Sequence, residues 1–531
     1  MMRKTLSSLL LCSSLLVPAC SKKADRGAAH ENTAAPYISD KAARDTGGAT
    51  AAMGAGSGAP GGYASAAPTE AIRGDQLGGE GYIDHGKNPW VEAAKDRLST
   101  FAADVDTASY SLARRKLTEG NLPVPAGVRV EEFVNYFRYS FPQPGNDSPF
   151  AVIMDAAPSP LAPGRHIVRV GVATKAKTAQ ERKPANLVFL VDVSGSMSSG
   201  DKLDMLRQSL KTLVANLTDK DTVSLVTYAG STRVVLEPTS DKSRITEALD
   251  ELRAGGSTAM GSGLDLAYKQ AMQGLRPGAI SRVIVLSDGD ANVGAHTHEE
   301  ILKIIAGRAK EGVTLTTVGF GQGNYKDALM EQLADKGNGN SFYIDSLDEA
   351  TKVFQTDLTA TLEVVAKDAK FQVDFDPAMV SRYRLVGYEN RDIADNDFRN
   401  DKVDAGEIGA GHQVTALYEV ELTPQGKQSK APLGGVRIRH KAPNAETATE
   451  AAFPMVGGPA ESFANSSSDF RFAFATAAFA DVLRGGQDAE HWNLADIRDM
   501  AKAAAGDSEE RRELVSLIEK AMTLKGRQAS R

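Results

Sequence analysis

Asp192-Val193-Ser194-Gly195-Ser196 follows the apolar run 187–191 and sets one carboxylate and two hydroxyls on a tight loop at the carboxyl end of a predicted buried strand. Gly195 lets the backbone turn there. Two more loops carry atoms of the same kind. Gly255-Gly256-Ser257-Thr258 precedes a helical pattern, and Ser287-Asp288-Gly289 follows the apolar run 282–286. Hard oxygen donors without thiolate or imidazole suit Mg²⁺, Mn²⁺ or Ca²⁺. Serine and aspartate also cap helices, so a lone D-x-S-x-S run is a modest signal. With Thr and Asp loops following in order on strand ends, it is a strong one.

The set resembles the metal-ion-dependent adhesion site of von Willebrand factor type A domains. That resemblance implies metal ligands at Asp192, Ser194, Ser196, Thr258 and Asp288. In that family the hydroxyls coordinate directly when ligand is bound, and the aspartates often act through water. Mg²⁺ takes six oxygens and keeps waters readily. Neutral hydroxyl ligands leave the ion electron-poor, so an open position favours an Asp or Glu carboxylate from a partner protein. The implied chemistry is binding, with Mg²⁺ (or Mn²⁺ or Ca²⁺) as cofactor.

Catalytic alternatives find no support in the sequence, and the chain is expected not to be an enzyme. His296 and His298 lack an H-E-x-x-H frame and read as a surface loop. Gly195–Gly200 does not form G-x-S-x-G, so there is no nucleophile elbow. The glycines of 319–323 lack G-x-G-x-x-G spacing and read as a strand-to-helix turn. No G-x-x-x-x-G-K-[ST] loop occurs, which argues against nucleotide binding.

The loops need a scaffold that brings strand ends together. Residues 181–361 alternate strand and helix: strands at 187–191, 222–228, 233–236, 282–286, 314–320 and 341–344, helices near 203–216, 242–253, 262–273, 297–310, 325–336 and 347–361. Apolar strands with helical crossovers predict an α/β fold, a doubly wound and mostly parallel sheet. Ligands of such sheets bind beyond the carboxyl ends of the strands, where all three loops fall. The last helix runs directly into the next strand, which ties its far end to another domain. Residues 91–180 read as associated helices (106–117 and 130–137) and strands (within 150–172). Asp106 and Thr107 are expected to cap the first helix, and Asp104 and Asp106 read as capping residues rather than metal ligands. Residues 362–456 switch to period two, as in FQVDFDP and QVTALYEVEL, and predict antiparallel strands. Alone they would leave an edge exposed. The strands at 150–172 are the obvious partners, which makes the α/β domain an insertion within a β-sandwich built by its flanks. Residues 457–531 return to helix, with Ser468-Asp469 as one cap and Asp507-x-x-Glu510 as a capping box.

The amino terminus reads as a targeting segment. Arg3 and Lys4 precede the apolar stretch 9–16, and Val17-Pro18-Ala19-Cys20 resembles a bacterial lipobox. Residues 1–19 are expected to be a cleaved signal peptide, with Cys20 lipidated. The two cysteines are Cys12, inside the signal, and Cys20, so no internal disulfide is expected. Several acyl chains exceed the one-chain limit of marginal membrane binding. Ser21, in place of Asp, favours the outer over the inner membrane by the enterobacterial sorting pattern. Residues 20–90 are rich in Ala, Gly and Ser and read as a flexible tether; such a chain spans roughly 45 Å root-mean-square. The chain has 531 residues, 42% hydrophobic and 24% charged, with a formal net charge of −7. That composition suits several globular domains and carries no basic excess for nucleic acid.

The flanks extend the resemblance. FAADVDTASYSLARRKL, VRVEEFVNYFRY, RLVGYENR and AGEIGAGHQVTALYEV resemble bacterial YfbK-type von Willebrand factor A proteins, over roughly residues 90 to 525. Three functions follow as expectations. The first is a cell-envelope lipoprotein that binds an acidic protein partner through the metal. The second is a structural or assembly protein of the envelope, in which the metal stabilises a loop and other domains make the contacts. The third is docking onto an ATPase, which an exported chain disfavours because ATP is essentially absent outside the cytoplasm.

Overall fold

The computed structural model describes residues 69–72, 81–103, 106–145, 148–178, 181–289, 297–321, 325–357, 362–403, 405–443, 445–486 and 489–529. The signal peptide, Cys20, most of the expected tether, Asp104 and His296 lie outside the described residues.

Strands precede the expected start of folded sequence. β1 (Thr69–Ile72) pairs antiparallel with β2 (Tyr82–Asp84). β3 (Val91–Glu92), β4 (Leu98–Ala102), α1 (Ala108–Thr118), α2 (Val130–Asn135), β5 (Phe150–Pro158) and β6 (Arg165–Thr174) complete the amino-terminal flank. The α/β domain follows: β7 (Ala185–Asp192), α3 (Met205–Asn216), β8 (Thr222–Tyr228), β9 (Thr232–Thr239), α4 (Lys242–Asp250), α5 (Met260–Gln273), β10 (Ile280–Ser287), α6 (His298–Lys310), β11 (Val313–Phe320), α7 (Asp327–Lys336), β12 (Ser341–Ile344) and α8 (Leu347–Thr351). Its sheet order is β12-β11-β10-β7-β8-β9, parallel except for the β8–β9 pair.

Alternation along β7 decides the layers. Leu187, Phe189 and Val191 face α3, α4 and α8 through Leu206, Leu210, Ile245, Leu249 and Ala350. Val188 and Leu190 face α5 and α6 through Met260, Leu264, Ile301 and Ile305. A sheet covered on both faces needs apolar residues at every strand position, which is why the strands read as continuous runs.

The carboxyl-terminal flank supplies β13 (Val364–Phe375), β14 (Val380–Val386), β15 (Ile408–Gly409), β16 (Gln413–Leu422), β17 (Gly434–Lys441) and β18 (Ala448–Pro454). These pair with strands from before the α/β domain: β13 with β4, placing Phe371 opposite Phe101, and β16 with β6, placing Val420 opposite His166. The two five-stranded sheets enclose one core that includes Phe101, Val170, Phe371, Tyr383 and Val414. The α/β domain is therefore inserted within a sandwich made by its flanks. The carboxyl-terminal helices Ser468–Arg484, Leu494–Ala504 and Glu509–Ala529 pack with α1 and α2 in a further core. Among the described residues no helix is long and apolar enough to cross a membrane.

Four local expectations are corrected. Asp106 does not cap α1. Its carboxylate accepts the Ser341 backbone N–H at 3.0 Å and pairs with Arg391 at 3.2 Å, a tertiary role that outcompetes local capping. The Ser467 side chain, not Ser468-Asp469, caps the following helix, and Asp469 instead binds Arg511. Ser508 Oγ accepts the Arg511 N–H at 3.3 Å where the Asp507–Glu510 box was expected. His298 opens α6 and meets Gln332 at 2.9 Å rather than lying on a loop. In addition, the helix expected over 347–361 is α8 followed by a π-helical segment, Lys352–Asp357; residues 358–361 lie outside the described residues.

Candidate metal centre at the carboxyl edge of the parallel sheet

β7 is the first strand of the α/β sheet. The chain then adds β8 and β9 on one side and returns to place β10 on the other. β7 and β10 are parallel neighbours with Val191 opposite Leu286, so Asp192 and Asp288 leave adjacent strands at the same edge. Chain direction reverses across the sheet at this point, and loops diverging from such neighbours leave a crevice.

Asp192 is fully buried. One carboxylate oxygen accepts the Ser194 N–H at 2.8 Å, and the other accepts the Ser287 hydroxyl at 3.0 Å. Burial pushes the Asp192 carboxyl above the usual aspartate range, against hydrogen bonds from Ser194 that favour its charge, and nearby Asp288 adds to the rise. A cation placed here would relieve both burial and like-charge repulsion.

The hydroxyls converge. Ser194 Oγ lies 2.9 Å from Ser196 Oγ. The loop carrying them is laced to the Thr258 loop by two backbone bonds: Gly195 N–H to the Gly256 carbonyl at 2.9 Å, and Gly255 N–H to the Val193 carbonyl at 2.7 Å. Gly256 adopts φ of 90° to make that turn, a conformation glycine takes without strain. Half-buried Thr258 follows two residues on, before α5. On the other side Asp288 is fully buried.

One partner was not foreseen. Lys202 Nζ donates to Asp288 Oδ2 at 2.8 Å. Lys202 sits in a π-helical turn, Gly200–Asp204, that precedes α3. Its stem lies so close to Gly321 that a Cβ there would come within 2.3 Å of Lys202 Cγ. The neighbouring Asp201 pairs with Arg115 of α1 at 2.8 Å, and Arg115 also bonds the Tyr343 hydroxyl at 2.7 Å. Tyr82 of β2 packs with Tyr325, Met330 and Tyr343, so the amino-terminal flank docks beside the Asp288 side of the edge. The signal for Lys202 was a lone lysine between glycine and an apolar helix start, a few residues after the motif. Ser287 stood in the motif itself, but its bond to Asp192 depends on strand pairing.

The donor set fits a hard divalent ion. Among the described residues no group of three or more His, Cys, Asp or Glu side chains could hold a metal, so a cation here rests on hydroxyls and two carboxylates. Asp192, Ser194, Ser196 and Asp288 supply that combination, with Thr258 held alongside by the laced loops. The Lys202 ammonium on Asp288 is a built-in cation that demonstrates the carboxylate's aim.

Residues 186–356 match the family described as von Willebrand factor type A domain. Residues 76–169 match the family described as von Willebrand factor. Residues 360–524 match that described as Uncharacterized protein YfbK, C-terminal. The chain is 38% identical over 488 residues to Uncharacterized protein YfbK of Escherichia coli strain K12, covering 86% of this chain and 84% of that protein. It is 26% identical to Uncharacterized protein sll0103 of Synechocystis, over 52% of this chain and 66% of the relative. Among solved structures, a von Willebrand factor type A protein from Catenulispora acidiphila shares 19% identity and a TM-score of 0.41, over 70% of this chain and 89% of that one. Domains of this type often bind a divalent cation and generally mediate protein binding. The three matched regions span both flanks and the inserted sheet, and the chain belongs to the YfbK family of von Willebrand factor type A domain proteins.

Proposed function

We propose that the chain binds a partner protein through a divalent ion held by Asp192, Ser194, Ser196, Thr258 and Asp288, with an Asp or Glu carboxylate of the partner completing the coordination. The observation that carries this reading is the convergence of two buried carboxylates on adjacent strand ends with the Ser194 and Ser196 hydroxyls, 2.9 Å apart, at a sheet edge. Hydroxyl ligands leave positive charge on the ion, which an anionic oxygen satisfies best. The chemistry is recognition rather than catalysis, and the chain acts as a binding protein, not an enzyme. Lipidation at Cys20 places it in the cell envelope, with the outer membrane favoured by Ser21.

The second reading is structural. Arg129 pairs with Asp327 at 2.6 Å and Arg391 with Asp335 at 2.8 Å, joining the flanks firmly to the inserted domain. On that reading the metal only steadies a loop. Affinity capture from an envelope extract separates the two, using the full chain in Mg²⁺ and in EDTA beside Asp192→Ala. The binding reading expects a partner retained in Mg²⁺ and lost in EDTA and in the variant, while circular dichroism of the variant stays native. Identical capture under all three conditions refutes it.

A further inference from the structure

Two buried carboxylates at one sheet edge are costly unless their charge is balanced. Here one cation is supplied by the chain itself. Asp288 is fully buried and the Lys202 side chain is 10% exposed, so water screens their 2.8 Å contact poorly. The placement is built rather than incidental. The π-helical turn Gly200–Asp204 widens the start of the helix at Lys202, and such turns recur at functional positions. The Lys202 N–H is anchored to the Ser199 carbonyl at 3.0 Å. Gly321, at φ of 78°, leaves the groove in which the stem runs, since a Cβ there would meet Lys202 Cγ, Cδ and Cε within 2.7 Å. An ammonium and a divalent ion cannot share one carboxylate without strong repulsion.

We propose that Lys202 is a tethered counter-ion of the centre: it neutralises Asp288 in the metal-free protein and has to leave for a divalent ion to bind. The proposal rests on the metal-binding reading of the site. It makes Lys202 a positioning residue that sets the affinity of the centre and supplies no ligand. The four-carbon stem lets the ammonium retract while the backbone stays anchored through the Asp201–Arg115 pair. The metal-free protein then keeps its edge folded without an ion, and ion binding exchanges one cation for another.

Titration of the full chain with Mn²⁺, followed by the electron paramagnetic resonance signal of the free ion, tests this on the wild type, Lys202→Met, Lys202→Gln, Lys202→Arg and Asp192→Ala. Lys202→Met and Lys202→Gln are expected to bind Mn²⁺ at least about tenfold more tightly than wild type, equivalent to about 1.4 kcal/mol. Lys202→Arg, which keeps the charge, should stay near wild type, and Asp192→Ala should lose binding. A second readout is the thermal midpoint. In EDTA Lys202→Met should melt below wild type, and Mg²⁺ should raise its midpoint by more than it raises that of wild type. Lys202→Gln keeps a hydrogen-bond donor and carries the test if the Met variant does not fold. Equal Mn²⁺ affinity in wild type, Lys202→Met and Lys202→Gln, with loss in Asp192→Ala, overturns the counter-ion and leaves the metal centre standing. Absence of saturable Mn²⁺ binding in every protein overturns both.

Discussion

Arg114 joins three parts of the molecule, and replacing it with Met should uncouple them. Its guanidinium meets both carboxylate oxygens of Asp345, at 2.5 and 2.8 Å, and Glu349 of α8 at 2.8 Å. It also meets the Tyr136 hydroxyl at 2.7 Å and Glu513 of the last helix at 3.4 Å. Tyr136 donates in turn to Glu349 at 2.7 Å, and Lys352 binds the Tyr136 carbonyl at 2.6 Å. Burial works against the charge of Arg114, but Glu349, Tyr136 and Asp345 outweigh it and raise the guanidinium above its ordinary range. The side chains of Asp345 and Glu349 are 7% and 1% exposed, so the variant strands two buried carboxylates. Breaking a buried network by removing one partner costs about 3–5 kcal/mol, a large share of the roughly 5–15 kcal/mol that stabilises a domain. The assay is urea denaturation followed by two probes. The two tryptophans, Trp90 and Trp492, lie in the flanks and report them by fluorescence, while circular dichroism reports the whole chain. Wild-type transitions should coincide. In Arg114→Met the dichroism should fall first, as the inserted domain loses its clamp, and coincidence should be lost. Adding Asp345→Asn and Glu349→Gln should recover most of the loss, because neutral amides no longer need a counter-ion. Lys430→Ala, at an exposed pair with Glu461, is the control and should leave the midpoint unchanged. A loss below about 1 kcal/mol with coincident transitions would refute the clamp.

Asp395 offers a pH signature. Burial pushes its carboxyl up to about 6, with Asp96 and Asp392 adding, against a hydrogen bond from Thr100. The folded chain thus holds this proton more tightly than the unfolded chain, whose aspartate titrates near 3.8. The resulting stability is fully present below 3.8 and lost as pH rises through about 6; Asp395→Asn should abolish that slope in urea midpoints, and an unchanged slope would reject the assignment. Gly339→Ala should destabilise the chain by about 1–3 kcal/mol or more, because the added Cβ would lie 1.8 Å from the Leu315 carbonyl oxygen; a wild-type thermal midpoint would contradict that packing. Cys20→Ser should leave an unacylated precursor, and palmitate labelling equal to wild type would reject the lipobox.

Where interactions are local, the chain was readable without coordinates. β8 and β12 occupy the predicted residues, and β7, β10 and β11 lie within two residues of prediction, because strands buried on both faces must be apolar along their length. The chemical types at Asp192, Ser194, Ser196, Thr258 and Asp288 were legible for the same reason: motif and strand end are neighbours in the chain. Even the insertion was inferable, since period-two strands on both sides of an α/β domain need partners: β6 found its partner in β16, while β4, which the sequence did not announce, pairs with β13.

Contacts between distant residues were decided only by the tertiary structure. Asp106 reads locally as a cap, yet serves Ser341, 235 residues away. The last helix of the inserted domain reads as one helix through 361, yet past α8 it turns π-helical where Tyr136 and Arg138 of the flank hold Lys352 and Asp357. Tyr82 fell within a stretch read as tether, and only the pocket among Tyr325, Met330 and Tyr343 makes it core. The Lys202–Asp288 pair is of the same kind. Periodicity and propensity report what a residue prefers among its chain neighbours. The cost of leaving a buried charge unpaired is settled among neighbours that folding brings from elsewhere in the chain.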